Sequence, residues 1–309
     1  GSITPVGAPA SYSRRGPGVE GVVKPDVSFW AGDIDQHDSA AHTGIQSLDK
    51  DGNPYRDVGT SHSTPIVSAI LANVLVGLRD PAPQDVSRTL LAKALVLHHA
   101  AINGHNNGGQ EYRMYEGLGI PGGSVTALAD APDTFTTVYH ARFTSATDWA
   151  LRRFPVPECL IQDGKFRGEV FMTVVQDPIV DADFGTEAVR SSVGAQLGDY
   201  SPGEDGKPNV DSKIPRDAQQ KAWERELIDK GKWSPVVTHH HAYPRGTAFS
   251  GEWALKLSLL TRNEPLPEPL DVLVVVTFRA LSKGLSVRDD GLAALVQNDI
   301  PSVDATVAS

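Results

Sequence analysis

The stretch GTSHSTP at residues 59–65, followed by the run IVSAILANVLVGL at residues 66–78, decides the fold of this chain. Pro65 suits the first turn of a helix, because the N–H that it lacks would have no helical partner there. The run continues with apolar residues at helical spacing, and no residue from 64 to 78 is charged. The sequence therefore predicts a helix that is buried on nearly all sides.

Ser61 stands at the start of this predicted helix. A serine there lies among unpaired backbone N–H groups and at the positive end of the helix dipole. Those donors would stabilise an oxyanion that forms on a bound carbonyl group, and Gly59 would let the backbone pass close to such a ligand. Ser and Thr are also common helix caps, so capping is an alternative interpretation of the same residues.

Composition limits the classes of protein to consider. The chain has 309 residues, which is about two domains, and its 40% hydrophobic content is enough for a core. A net charge of −10 argues against a nucleic-acid surface, and Cys159 has no second cysteine for an internal disulfide. No run approaches 18 apolar residues, so we predict no membrane span. Because the sequence opens with Gly1-Ser2 and lacks an initiator Met, we expect an excised fragment.

The rest of the chain changes character near residue 132. Before it, turns, short strands and a second helix from about 84 to 101 are expected. After it, β-branched and alternating segments predict an antiparallel sandwich over residues 133–295. A polar insert at 199–232, with one helix at about 215–230, interrupts this part. The tail at 296–309 is expected to be weakly ordered.

Several motifs occur in the order of one family. The stretch at 59–65 resembles the nucleophile motif of the subtilisin-like serine proteases, the subtilases, with Ser63 where that family usually has Ala. Other segments resemble parts of the same family: Ile3–Ala8, Ala10–Pro17, Lys24–Val27, Leu90–Ala100 and Gly117–Pro121. The resemblance implies an α/β fold for residues 1–130, the C-terminal and Ser-bearing part of a subtilisin-like domain, followed by an all-β antiparallel sandwich.

The resemblance also implies roles for individual residues. Ser61 would be the acyl-forming nucleophile of a serine endopeptidase, and Gly59, Thr60 and Ser61 would form the substrate and oxyanion loop. In this family the catalytic Asp and His and the Asn oxyanion donor precede the Ser, so we expect them upstream of residue 1. The chain alone is therefore predicted to be inactive. Its expected partners are a protein or peptide substrate and the N-terminal part of the same protease.

Histidines of this chain do not suit the role of catalytic base. His37 and His42 lack the sequence setting of the family's catalytic His. Adjacent residues of a helix do not face each other, so we expect His62 to be pocket-lining or exposed and Ser63 to serve packing. The triplet His239–His241 predicts no metal site without further ligands, and His98 suits a helix end where the dipole favours its charged form.

The loop at residues 33–57 is longer than its counterpart in the family and is rich in Asp. Three interpretations stay open: a rim of the substrate cleft, a calcium site, or a solvated loop. Apart from this calcium alternative, we predict no metal and no cofactor. Cys159 is expected to be buried and inert.

The C-terminal part has a resemblance of its own. Phe166–Val170, Gln176–Pro178 and Tyr243–Gly246 resemble the sandwich of a bacterial subtilase subgroup. Some members of that subgroup are encoded beside an AAA-type ATPase, which implies such a partner and favours a cytoplasmic over a secreted location. Two alternatives stay open: a substrate- or partner-binding module of a proteolytically inactive homologue, and one half of a processed enzyme.

Overall fold

The computed structural model of the chain describes residues 2–16, 18, 24–78, 86–104, 114–145, 149–203, 208–216, 234–262 and 265–297. The main helices are α1 (Thr60–Gly77), α2 (Arg88–Gly104), α3 (Ser124–Leu128) and α4 (Val287–Gln297). Within these ranges no helix combines the length and the apolar character that a membrane crossing requires.

All paired strands in the described residues are antiparallel. They are β1 (Ile45–Leu48), β2 (Pro54–Asp57), β3 (Thr134–Phe143), β4 (Trp149–Phe154), β5 (Ile161–Gln162), β6 (Lys165–Phe166), β7 (Glu169–Gln176), β8 (Ser191–Pro202), β9 (Pro208–Ser212), β10 (Val236–Ala242), β11 (Thr247–Ala248), β12 (Trp253–Thr261) and β13 (Leu270–Arg279). The two four-stranded sheets have the orders β10-β7-β13-β3 and β4-β12-β8-β9. The chain thus contains helices and a β-rich region of several antiparallel sheets.

Alternate residues of β13 face two different cores. Val272, Val274 and Val276 are fully buried in a cluster that also contains Trp253 and Leu255 of β12, so the two four-stranded sheets share one core. The intervening residues of β13 pack instead with helix α2 in a second cluster. This alternation follows from the period of two in a strand, and it explains why β13 reads as an almost continuous apolar run.

His98 connects helix α2 to the outer face of the first four-stranded sheet, β10-β7-β13-β3. The His98 side chain is buried, and its two ring nitrogens lie 2.8 Å from the hydroxyl oxygens of Thr173 and Thr277. Burial lowers the pKa of His98 to about 3, so the ring is neutral. Our expectation of a helix-ending, dipole-stabilised His98 is therefore wrong, because α2 continues to Gly104 and brings this ring against the sheet.

A chain of hydrogen bonds fixes which nitrogen of His98 carries the proton. A carboxylate oxygen of Asp130 accepts from the Thr136 hydroxyl at 2.6 Å, and the Thr136 oxygen lies 2.7 Å from that of Thr277. A carboxylate only accepts, so Thr136 donates to Asp130 and accepts from Thr277. Thr277 must then accept from Nε2–H of His98, and Nδ1 accepts from Thr173.

Helix α1 differs from the prediction in two respects. It begins at Thr60, so Pro65 lies inside the helix and not at its first turn. Only Ser63 and Val74 are buried, and Val76 is 55% exposed, so the expectation of burial on nearly all sides is wrong. The reason is the number of partners: among the described residues α1 packs mainly against α2 and α3, which cover one face.

Two expectations for the C-terminal part also change. Residues 199–212, expected to open a polar insert, belong largely to β8 and β9, which pair with each other. The expected helix at 215–230 lies almost wholly outside the described residues. Residues 287–295, expected to belong to the antiparallel sandwich, lie in α4, whose Val287 and Leu295 are buried in the shared core. The expected weakly ordered tail at 296–309 lies almost wholly outside the described residues.

Candidate active site

Ser61 lies in the first turn of α1, two residues after Gly59, whose backbone conformation favours glycine. Gly59 precedes the helix with φ 149° and ψ 149° and provides no side-chain cap. Its N–H donates to the carbonyl of Ala31 at 3.0 Å, which ties the start of α1 to the segment before the Asp-rich loop. The predicted residues Gly59, Thr60 and Ser61 thus lie together at a helix N-terminus. The backbone N–H groups there have no hydrogen-bond partner within the helix.

Three hydroxyl side chains in this turn behave differently. Ser63 donates to the carbonyl of Thr60 at 3.0 Å, and Thr64 donates to the same carbonyl at 2.9 Å. Ser63 is also buried, as expected for a packing residue. Ser61 is exposed, and its hydroxyl makes no hydrogen bond to the described part of the chain. Of these three, Ser61 is therefore the hydroxyl that is available to a ligand; Thr60 is also exposed, and its hydroxyl likewise makes no hydrogen bond within the described residues.

His62 is half-buried beside Asp57 and makes no hydrogen bond to Ser61 within the described residues. Its Nε2 lies 3.4 Å from a carboxylate oxygen of Asp57. Hydrogen bonds from the Val58 N–H and from His62 lower the pKa of Asp57. The His62 ring borders the Gly59 turn, 4.0 Å from where a Cβ of Gly59 would stand, and a pocket-lining role for His62 stays a prediction.

The Asp-rich loop at 33–57 contains the β1–β2 hairpin, and its carboxylates accept hydrogen bonds from the loop and from segments on either side of it. Burial works to raise the pKa of Asp33, but hydrogen bonds from Ser2, Thr4 and Ile34 outweigh burial and lower it. Backbone N–H groups of the following turns lower the pKa of Asp35 and Asp49. In the described ranges no three His, Cys, Asp or Glu side chains are grouped to hold a metal ion, and the calcium alternative stays a prediction.

Each histidine of the triplet on β10 contacts a neighbouring group of the chain. His240 Nε2 lies 2.7 Å from Glu169, whose other carboxylate oxygen accepts from Arg279 Nε at 2.7 Å. His239 is buried with its Nδ1 3.3 Å from a backbone carbonyl, and the His241 ring packs edge-on against Tyr243. The three side chains therefore have separate partners, since successive side chains of a strand point to opposite faces.

Cys159 is half-buried in the 3₁₀ turn Glu158–Leu160. Burial, together with the nearby Asp290 carboxylate, raises the pKa of its thiol to about 11. A thiol in this state is a poor nucleophile, which agrees with the expectation of an inert Cys159.

Sequence reasoning missed two side chains that shape this site. Asp57 is the partner of His62, and the hydroxyl of Tyr12 reaches the backbone beside Gly59. The five-residue spacing between Asp57 and His62 matches no strand or helix period. Tyr12 is 47 residues from Gly59 along the chain, so no local pattern indicated either contact.

Comparisons with known proteins agree with the motif analysis for the N-terminal part of the chain. Residues 1–122 match the model of the subtilase family, Peptidase_S8, and this match supports a subtilisin-like protease part over these residues. No curated protein matches the chain. A solved structure, the lipase BlEst2 of Bacillus licheniformis in propeptide form, shows 15% identity and a TM-score of 0.23. The alignment covers 54% of this chain and 28% of that one. A TM-score this low does not indicate a shared fold.

Proposed function

We propose that Ser61 is the nucleophile of a subtilisin-like serine endopeptidase and that this chain is its Ser-bearing part. The observation that carries the proposal is the free Ser61 hydroxyl at the N-terminus of α1, after Gly59 and within the region that matches the subtilase family. Residues 1–130 would be the C-terminal part of the catalytic domain. Residues 133–295 would form a β-sandwich, because the two four-stranded sheets share one core.

The reaction would proceed through an acyl-enzyme. The Ser61 oxygen attacks the carbonyl carbon of a peptide bond while a His takes the hydroxyl proton. The N–H of Ser61 and the dipole of α1 stabilise the oxyanion that forms. Collapse expels the amine, which receives the proton from the His, and water then hydrolyses the ester by the same route. Because His62 makes no hydrogen bond to Ser61 within the described residues and its Nε2 faces Asp57 instead, we propose that the His and its Asp come from protein outside these 309 residues.

The exposed face of α1 supports the proposal that another protein part supplies the catalytic His and Asp. The exposed residues at 61, 64, 65, 68, 69, 72, 73 and 76 lie on one half of the helix, and none of them is charged. A helix face that meets water normally carries charged side chains. The uncharged face therefore suits a protein partner, and we propose the N-terminal part of the same protease as that partner. An AAA-type ATPase stays a prediction.

Co-expression of this chain with the protein encoded upstream of it tests the proposal. The assembled pair should cleave casein, the Ser61→Ala pair should not, and a Ser258→Ala pair, altered at an exposed position of β12, should keep full activity. A stably assembled pair without activity would contradict the proposal.

A second candidate function is that of a binding module in a proteolytically inactive homologue. It is favoured by the β-rich region from β3 to β13, which lies outside the part matched by the subtilase family. Under this alternative the assembled pair would bind a protein without cleaving it, and Ser61→Ala would leave that binding unchanged.

A further inference from the structure

The hydroxyl of Tyr12 joins three segments of backbone at the base of the candidate active site. Its oxygen lies 2.9 Å from the carbonyl oxygen of Ala31 and 2.5 Å from that of Gly32. A phenol has one proton, so the O–H donates to these two carbonyls in a shared hydrogen bond. Tyr12 itself belongs to the N-terminal segment, which is thereby fixed to residues 31–32.

The third segment is the turn that leads into α1. The Gly59 N–H donates to the Ala31 carbonyl at 3.0 Å, so this carbonyl accepts from both Gly59 and Tyr12. Burial raises the pKa of Tyr12, the Gly59 N–H opposes this, and Asp33 and Asp57 raise it further. The phenol therefore stays protonated and remains a donor around neutral pH.

The position of Gly59 gives this contact a consequence for Ser61. Gly59 is the last residue before α1 and has a positive φ. Because glycine has no Cβ, its backbone can rotate to other conformations at little steric cost. Rotation at Gly59 would turn the N–H groups of Thr60 and Ser61 relative to the rest of the site. Oxyanion donors are effective only when they are held in place before the reaction.

We infer that Tyr12 is a positioning residue for Ser61, whose hydroxyl fixes the Gly59 turn and with it the first turn of α1. This inference rests on the proposed function for its catalytic meaning. The positional part of the inference is a property of the 309-residue chain alone.

Hydrogen exchange of the 309-residue chain tests the positional part. Tyr12→Phe keeps the ring and removes the O–H, which on average is worth about 1 kcal/mol, or roughly fivefold in an opening equilibrium. We expect the Gly59 amide to exchange about fivefold faster in this variant, with exchange in β13 unchanged. Tyr55→Phe is the matched control, because Tyr55 is exposed and its hydroxyl makes no hydrogen bond to the described residues. Equal exchange at Gly59 in wild type and Tyr12→Phe would overturn the inference.

Kinetics of the assembled protease test the catalytic part. Tyr12→Phe should lower kcat about tenfold and change KM less than twofold, whereas Tyr55→Phe should leave both unchanged. A Tyr12→Phe enzyme with unchanged kcat would overturn the positioning role. If the wild-type pair has no activity, the proposed function fails, and the exchange of Gly59 still decides whether Tyr12 holds the turn.

Discussion

The Nε2 atom of His98 lies 2.8 Å from the Thr277 hydroxyl oxygen, and this contact joins helix α2 to the centre of the first four-stranded sheet. The ring is buried and neutral, with Thr173 bonded to its other nitrogen. Helix α2 falls within the part that matches the subtilase family, and Thr277 falls in the β-rich region. His98 is thus a polar link between the two parts of the chain.

Replacement of His98 by Gln should reduce the loss of stability in acid. The pKa of His98 is about 3 when folded and about 6.5 when unfolded, so the unfolded chain binds more protons between these values. Its contribution is complete above pH 6.5 and declines by about 1.4 kcal/mol per pH unit as the pH falls toward 3. Urea unfolding at pH 7 and pH 5 should show wild type losing about 2 kcal/mol more than His98→Gln.

His42→Gln is the control for this measurement, because His42 is exposed in the Asp-rich loop. It should keep the wild-type dependence on pH. If His98→Gln lost as much stability as wild type between pH 7 and pH 5, the account of a neutral, buried His98 would be wrong.

Alkylation should show that Cys159 is protected by its surroundings. A thiol pKa of about 11 leaves roughly 100-fold less thiolate at pH 8 than an ordinary cysteine has. Iodoacetamide should therefore modify the folded chain at least 100-fold more slowly than the chain in urea. Asp290→Asn should speed the folded reaction several-fold, since Asp290 helps to raise the thiol pKa.

Asp289→Asn is the matched control for the alkylation experiment. Asp289 is next in sequence but accepts from the Ser286 hydroxyl at the start of α4 and does not act on the thiol. Comparable rates for the folded and unfolded wild-type chain would show that Cys159 is not held as described.

Gly291→Ala should destabilise the chain although alanine favours helices. A Cβ at Gly291 would lie 2.2 Å from the ring of Phe135, which is buried in the shared core. Overpacking of this kind costs about 1–3 kcal/mol, which exceeds the gain of about 1 kcal/mol from helix propensity. Urea unfolding should report the difference. Gly123→Ala, where a Cβ meets nothing within 4 Å, should change stability by less than about 0.5 kcal/mol. A Gly291→Ala chain as stable as wild type would contradict the packing of α4.

Local sequence patterns were sufficient to predict those strands and helices whose formation depends mainly on residues within the element. The β-branched segments after residue 132 predicted strands, of which β13 is one, and the second helix predicted from about 84 to 101 is α2. The motif at 59–65 placed Ser61 at the start of a helix, because glycine, hydroxyl residues and the apolar run after them act over short distances. The family match over residues 1–122 confirms the resemblance that these motifs carried.

The features that sequence reasoning missed depend on contacts between distant residues. His98 lies 179 residues from Thr277, so its burial depends on which sheet α2 packs against. The uncharged character of α1 indicated burial on nearly all sides, but the described residues supply neighbours for one face only. Residues 208–212 are largely polar because they form β9, the edge strand of its sheet, where side chains meet water.

Labelling by a fluorophosphonate probe tests the central claim most directly. The probe should be applied to the pair assembled with the upstream protein and to this chain alone, and the modified serine should be located by mass spectrometry. Ser61 and Ser63 are two residues apart, so the same peptide reports on both. We predict that the pair is labelled on Ser61, that Ser61→Ala abolishes labelling, and that this chain alone is not labelled. Labelling of Ser63, or labelling that persists in the Ser61→Ala pair, would contradict the assignment of Ser61 as the nucleophile.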